Sequence, residues 1–194
     1  MRIYLLRHGK TAGNLQRLYI GSTDQPLAEA GKEEMAILQR DGYYPVANKL
    51  YSSPMLRCIQ TGELLYPQYI PEIVNGLQEC SFGIFECLSY QELKDNKNYQ
   101  KWIDSNGLGD IPQGENSRDF KLRCIRAFTG FLDHALANKE DNIALIIHGG
   151  SIMTILEAFY GEEGSFYDWQ IKNGRIYCLE IDEKLWHEKR KIAS

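Results

Sequence analysis

The chain has 194 residues, 43% apolar and 25% charged, the make-up of an ordinary globular domain long enough to bury a sizeable core. Its formal net charge of −4 excludes nucleic-acid binding by bulk charge, though not a local basic pocket. No apolar run reaches membrane-spanning length, and Arg7 interrupts the N-terminal apolar segment too early for a signal peptide.

Arg2 to Arg7 reads as a buried strand, and Ala28 to Arg40 as a helix stopped by Gly42. Lys49 to Ser52 reads as a second strand. Ser53-Pro54 then fits an N-cap followed by proline at the first helical position. That helix runs to about Leu65 with Leu56, Ile59 and Leu64 on its apolar face. A long helix starts after Asn116 or Ser117, with Phe120, Cys124, Ile125, Phe128, Leu132 and Leu136 as its core stripe. Asn142 to Ile147 is the most apolar strand, Ser151 to Tyr160 a helix, and Arg175 to Ile181 a late strand after an Asn173-Gly174 turn. Strands alternating with helices predict an α/β fold, a three-layer α/β/α sandwich on a mostly parallel sheet. Residues 67–115 depart from the pattern. They are polar, broken by Gly and Pro, and helical only near 89–96 and 99–104. They read as an excursion of one 1–194 domain, forming a wall of a pocket.

Ligands of such folds bind beyond the carboxyl ends of the strands. The first strand delivers Arg7-His8-Gly9 there. The second delivers Ser52-Ser53-Pro54, with Arg57 one turn further on. The third delivers His148-Gly149-Gly150-Ser151 at a helix start, where backbone N–H groups favour an anion. Two arginines and two histidines on one rim suit a phosphoryl group. Arginine forks match phosphate oxygens, and a neutral imidazole attacks phosphorus. Either histidine could be the one that attacks. The best acid for the leaving oxygen is Glu79, with Glu86 and Glu115 as rivals in the same excursion. Gly9-Lys10-Thr11 imitates the end of a P-loop, but Tyr4 stands where the first glycine must be.

These blocks resemble the histidine phosphatase superfamily, in its phosphoglycerate mutase-like branch. The resemblance rests on Leu6-Arg7-His8-Gly9 with Asn14, Tyr19-x-Gly21-x-x-Asp24-x-Pro26-Leu27, and Ser52-Ser53-Pro54-x-x-Arg57. It continues through Glu79-x-x-Phe82-Gly83-x-x-Glu86, Gly114-Glu115 and His148-Gly149-Gly150. It implies a phosphoglycerate mutase-like fold with His8 as the phosphorylated nucleophile. Arg7, Arg57, His148 and the Gly149 backbone would hold the phosphoryl group, with Asn14 a lesser contact. Glu79 would protonate the leaving oxygen and then activate water. No metal or other cofactor is implied.

Mutase relatives carry Glu-Arg-x-Tyr-Gly after the acid and an adjacent arginine pair. Here Cys80 follows Glu79, and no two arginines adjoin anywhere. Hydrolysis of a small phosphorylated metabolite is therefore expected, with mutase chemistry and a non-enzymatic phosphate sensor as alternatives. Short length and block pattern resemble α-ribazole-5′-phosphate phosphatases most, while broad-specificity and sugar-phosphate phosphatases share the blocks. Specificity is expected from Tyr19, Ile20, Phe85 and residues 102–113. The five cysteines are odd in number and lack a C-x-x-C pair, which argues against a zinc site or disulfide framework and for a reducing cytoplasm. No nucleic-acid or membrane partner is expected, and monomer and homodimer are both open. Lys10 reads equally as a solvated residue or a phosphate contact, Cys80 as a packed side chain, and Lys184–Lys191 as a solvated tail.

Overall fold

The computed structural model describes residues 1–160 and 164–192. Five strands form one sheet in the order β3-β2-β4-β1-β5. They are β1 (Arg2–Arg7), β2 (Lys49–Ser52), β3 (Glu72–Ile73), β4 (Ile143–Ile147) and β5 (Ile176–Glu180). β5 runs antiparallel to β1, and every other pairing is parallel. Alternation along β4 shows why the sheet is covered on both faces. Ile143, Leu145 and Ile147 pack into one apolar cluster, and Ala144 and Ile146 into another.

The first cluster joins β4 to α6 (Ser117–Ala137) and α7 (Gly149–Phe159), through residues such as Phe128, Leu132, Ile152 and Leu156. The second joins it to α2 (Glu29–Arg40) and α3 (Leu56–Leu65), through Met35, Cys58 and Leu65. This is a mixed α/β sandwich on a mostly parallel sheet, as the alternation of elements predicted. Gly42 does end α2. It sits at φ +76°, and the Tyr43 N–H reaches back to the Leu38 carbonyl.

Three expectations need correction. Helix α3 begins two residues late, with Met55 at its N-cap; the Ser53 hydroxyl lies ahead of it, accepting from His148 Nε2 at 2.8 Å and from the Met55 N–H at 3.4 Å. Its inward face is also different. Arg57, Cys58, Thr61 and Leu65 are buried, while Leu56 is exposed. Apolar periodicity pointed the wrong way because this helix buries functional polar groups. The C-terminal tail is no solvated end either: α8 (Glu183–Lys189) seats Trp186 with no exposure, and the indole donates to Asp133 at 2.8 Å.

The excursion holds β3, a 3₁₀ turn at Gly83–Phe85, and two short helices, α4 (Tyr90–Leu93) and α5 (Lys97–Asp104). It carries its own small core of Phe85, Leu93, Tyr99 and Ile111. A four-residue helix, α1 (Ala12–Leu15), follows β1. No helix among the described residues is long and apolar enough to cross a membrane.

Candidate active site

Parallel pairing aligns the carboxyl ends of three strands. Arg7 is level with Ile147, and Ser52 with Ile146. His8, Ser53 and His148 therefore leave the sheet side by side. The His8 N–H continues the ladder to the Ile147 carbonyl at 3.0 Å, and the Ser53 N–H bonds Ile146 at 2.9 Å. The two imidazoles meet edge to face with centroids 5.1 Å apart. His8, Arg57 and His148 are all buried.

Hydrogen bonds define the tautomers. His8 Nδ1 lies 2.7 Å from the Gly9 carbonyl, which can only accept. Nδ1 therefore carries the proton, and Nε2 keeps its lone pair. His148 has the opposite arrangement. Arg57 Nε donates to its Nδ1 at 3.3 Å, so Nε2 carries the proton and donates to Ser53 Oγ at 2.8 Å. Both rings are neutral, held well below the ordinary histidine range. For His8 the causes are burial, then the Arg57 and Arg7 charges, against which the Gly9 bond is a lesser opposing effect. For His148 they are burial, then His8 and the arginines.

Arg57 has no carboxylate in close contact; Asp24 is 4.0 Å away. Its guanidinium instead donates to the Gly21 carbonyl at 2.8 Å and the Thr23 carbonyl at 3.0 Å. Arg7 donates to the Ile171 carbonyl at 2.6 Å, and its buried Nε has no hydrogen-bond partner. A buried N–H of a guanidinium without an acceptor is costly unless an anion is its intended partner. Gly149 opens α7 against this arginine: a Cβ there would lie 3.2 Å from Arg7 Cζ.

Glu79 stands across the start of α7. Its Oε2 accepts from the Gly150 N–H at 3.1 Å, and its Oε1 from the Cys80 N–H at 3.0 Å. Any side chain at Gly150 would collide with Glu79 Oε1, 2.4 Å from the Cβ position. Asn14 uses its side-chain oxygen to cap α1, accepting from the Thr11 N–H and from Asn173 Nδ2. The only donor it can offer an anion is Nδ2. Lys10 is paired with Glu34 at 2.6 Å on α2. Cys80 is packed, and burial pushes its thiol up to about 12. Among the described residues no group of three or more His, Cys, Asp or Glu side chains is placed to hold a metal ion.

The rival acids have other partners. Glu115 is locked in a two-pronged pair with Arg123, at 2.6 and 2.9 Å. Glu86 is a clamp. Its carboxylate accepts from the N–H groups of Gly21, Ser22, Thr23 and Phe82 and from the hydroxyls of Ser22 and Thr23. Burial pushes its carboxyl up, but these bonds together outweigh burial and leave it below the usual range. The clamped loop is the one whose carbonyls hold Arg57. The Phe82 N–H it also takes lies three residues beyond Glu79. The motif spacing flagged Glu86, but only the fold shows what it grips.

Beyond Glu79 and Gly150 lies a cavity of about 200 Å³. Tyr19, Trp102 and Ile111 line it, in keeping with the expected specificity wall. Ile20 and Phe85 do not line it; both are buried in packing. Phe120, Met153, Phe166 and Tyr167 do, and sequence spacing offers no signal that brings these three elements together.

A neutral buried histidine pair between arginines, at the strand ends of an α/β sandwich, is chemically suited to receive a phosphoryl group. The chain belongs to the histidine phosphatase superfamily: the family model for branch 1 matches residues 3–192. It is similar to a broad-specificity phosphatase of Saccharomyces cerevisiae, 30% identical over 172 residues, covering 81% of this chain and 69% of that one. A probable phosphoglycerate mutase of Escherichia coli O1:K1 is 23% identical, over 96% of this chain and 87% of the relative. In structure it resembles the α-ribazole phosphatase of Shigella flexneri, with TM-score 0.82 and 25% identity over 95% and 92% of the two chains. The chain is thus an enzyme of the phosphatase class.

Two outcomes follow. His8 and His148 are neutral when folded, and each takes up a proton near pH 6.5 when unfolded. Below that pH the unfolded state binds more protons, so stability falls as pH falls. Urea denaturation at pH 7.5 and pH 5.5 should differ by roughly 3 kcal/mol from this pair, and His8→Asn should remove about half of that difference. An unchanged pH dependence in His8→Asn would rule out buried neutral His8 as the cause. Glu86→Gln places an amide N–H₂ against a ring of donors. It should cost about 2–3 kcal/mol of stability and weaken inorganic phosphate binding roughly tenfold at a temperature where it is folded. Lowered stability with unchanged phosphate affinity would show that Arg57 does not depend on this clamp.

Proposed function

We propose that the protein is a phosphomonoesterase working through a phosphohistidine at His8. The observation that carries this reading is the bond from His8 Nδ1 to the Gly9 carbonyl, which leaves Nε2 unprotonated in a cradle of arginines. His8 Nε2 attacks phosphorus, and the P–O bond to the leaving alcohol breaks. Glu79 gives its proton to that oxygen. Water then attacks the phosphohistidine, Glu79 takes a proton from it, and neutral His8 leaves. Arg57 and the unpartnered Arg7 Nε offset charge on the equatorial oxygens, with help from the Gly149 N–H and Asn14 Nδ2. His148, fixed by Ser53 and Arg57, sits beside the nucleophile and supports a neutral site.

Water is preferred as the final acceptor over a bound product. A mutase must hold a second anionic group while the first is returned. Among the described residues, the only charged ones lining the cavity are Glu79 and Glu115. The substrate tested first is α-ribazole-5′-phosphate, after the Shigella neighbour. No isomerisation of 3-phosphoglycerate to 2-phosphoglycerate is expected, and steady turnover separates the enzyme from a phosphate sensor.

His8→Ala should lower hydrolysis of p-nitrophenyl phosphate by about three orders of magnitude or more and abolish acid-labile phosphoprotein in a rapid quench. Near-wild-type turnover would place the nucleophile elsewhere. Glu79→Gln should slow alkyl phosphates far more than p-nitrophenyl phosphate, about a hundredfold against a few-fold, because a good leaving group needs little protonation. Equal slowing of both would assign the acid to another residue.

A further inference from the structure

The cavity beside Glu79 specifies the leaving group. We infer that the enzyme is built for monoesters of uncharged, flat, largely apolar alcohols, and that it rejects esters bearing a second anionic group. This inference rests on the phosphomonoesterase reading, because it takes the phosphoryl group to sit at His8 and the alcohol to lie past Glu79.

The position follows from the lining. Glu79 and Gly150 line the cavity, and Gly150 follows Gly149, which packs against Arg7 of the proposed phosphoryl site. A leaving oxygen that receives the Glu79 proton therefore carries its organic group into this space. The walls are Tyr19, Phe82, Trp102, Phe120, Met153 and Tyr167. Tyr19, Phe82 and Trp102 contact one another edge to face, with centroids 5.3, 5.8 and 6.2 Å apart. Such an arrangement leaves ring surface for a flat guest and is held by mutual packing before the guest arrives. The Tyr19 hydroxyl is already bonded to Tyr99 at 2.6 Å, so Tyr19 offers its ring.

Charge supplies the exclusion. Among the described residues, Glu79 and Glu115 line the cavity, and no lysine or arginine does. The neighbouring cations are engaged elsewhere. Arg123 is held by Glu115 and by the carbonyls of Gly76 and Gln78. Lys121 is paired with Glu157 at 2.5 Å. A second phosphate or carboxylate on the substrate would lose its water here and find no cation among the described lining residues to pair with. Relatives of this chain include a broad-specificity phosphatase, a putative phosphoserine phosphatase and a probable phosphoglycerate mutase. On this lining, the chain is expected to act poorly on the phosphoserine and phosphoglycerate for which two of them are named.

The test compares esters of matched leaving-group basicity, so that ring binding is not confused with easy departure. The panel is 2-naphthylmethyl phosphate, ethyl phosphate, 3-phosphoglycerate and phosphoserine. We expect kcat/KM for the naphthylmethyl ester to exceed that for ethyl phosphate by about tenfold or more, and that for either carboxylate-bearing ester by about a hundredfold. Trp102→Leu should shrink the naphthylmethyl-to-ethyl ratio several-fold. Tyr167→Ala, at an exposed position, gives the same readout should Trp102→Leu fail to fold. Equal turnover across the panel, or a ratio unmoved by both variants, overturns the inference and leaves the phosphatase reading standing. No turnover of any ester overturns both.

Discussion

The site depends on a guanidinium buried without a close carboxylate. Arg57 is fully enclosed, and the nearest acid, Asp24, is 4.0 Å from it. Burying an unpaired charge costs several kcal/mol, so the charge must be met by dipoles. The carbonyls of Gly21 and Thr23 and the lone pair of His148 Nδ1 meet it. These neutral partners take one N–H from each guanidinium nitrogen, and only Asp24, at 4.0 Å, offsets the charge among the described residues. A carboxylate in the same place would have satisfied the arginine and spoiled the site for phosphate.

Much of the surrounding sequence follows from that solution. The carbonyls belong to a loop that must not shift, and Glu86 fastens it through three of its backbone N–H groups and two of its hydroxyls. Gly21 has to be glycine, because a Cβ there would stand 1.8 Å from the Cys80 carbonyl. His148 must accept from Arg57, which sends its proton to Nε2 and makes Ser53 its acceptor. Ser53 Oγ also accepts from the Met55 N–H at 3.4 Å, and α3 starts beyond it with Met55 at the N-cap. The Arg57 charge also reaches His8, where with burial it disfavours the imidazolium and keeps Nε2 free of a proton.

How much of this was legible varied with how local the cause was. β4 was plain because all five of its residues are buried and apolar. The strand-end groups were legible because a parallel sheet puts successive carboxyl ends on one rim, whatever the loops do. The face of α3 was misread because Arg57 and Thr61 look like surface residues until their partners are known. The tail was misread because a seven-residue helix shows too little periodicity, and its single anchor, Trp186, bonds a residue 53 positions away. The role of Glu86 lay in bonds to a loop more than 60 residues earlier, which motif spacing can mark and cannot explain.

Glu79 joins two parts of the molecule that have different demands. The phosphoryl cradle is built on strand ends and the start of α7, where hydrogen bonds leave little freedom. The leaving-group cavity is largely built from the excursion, with its separate small core. Glu79 belongs to the excursion by sequence and to the cradle by its bond to the Gly150 N–H. That bond fixes the Glu79 carboxyl against the start of α7 independently of the aromatic walls beyond it. Residues of the walls can therefore be exchanged to suit a different alcohol while the acid keeps its place. The same coupling sets a limit, since any change that displaces Cys80 or Phe82 pulls on Glu79 and, through Glu86, on the loop that holds Arg57. Substrate choice is free to vary at Trp102 or Tyr167, and constrained within the few residues that follow the acid.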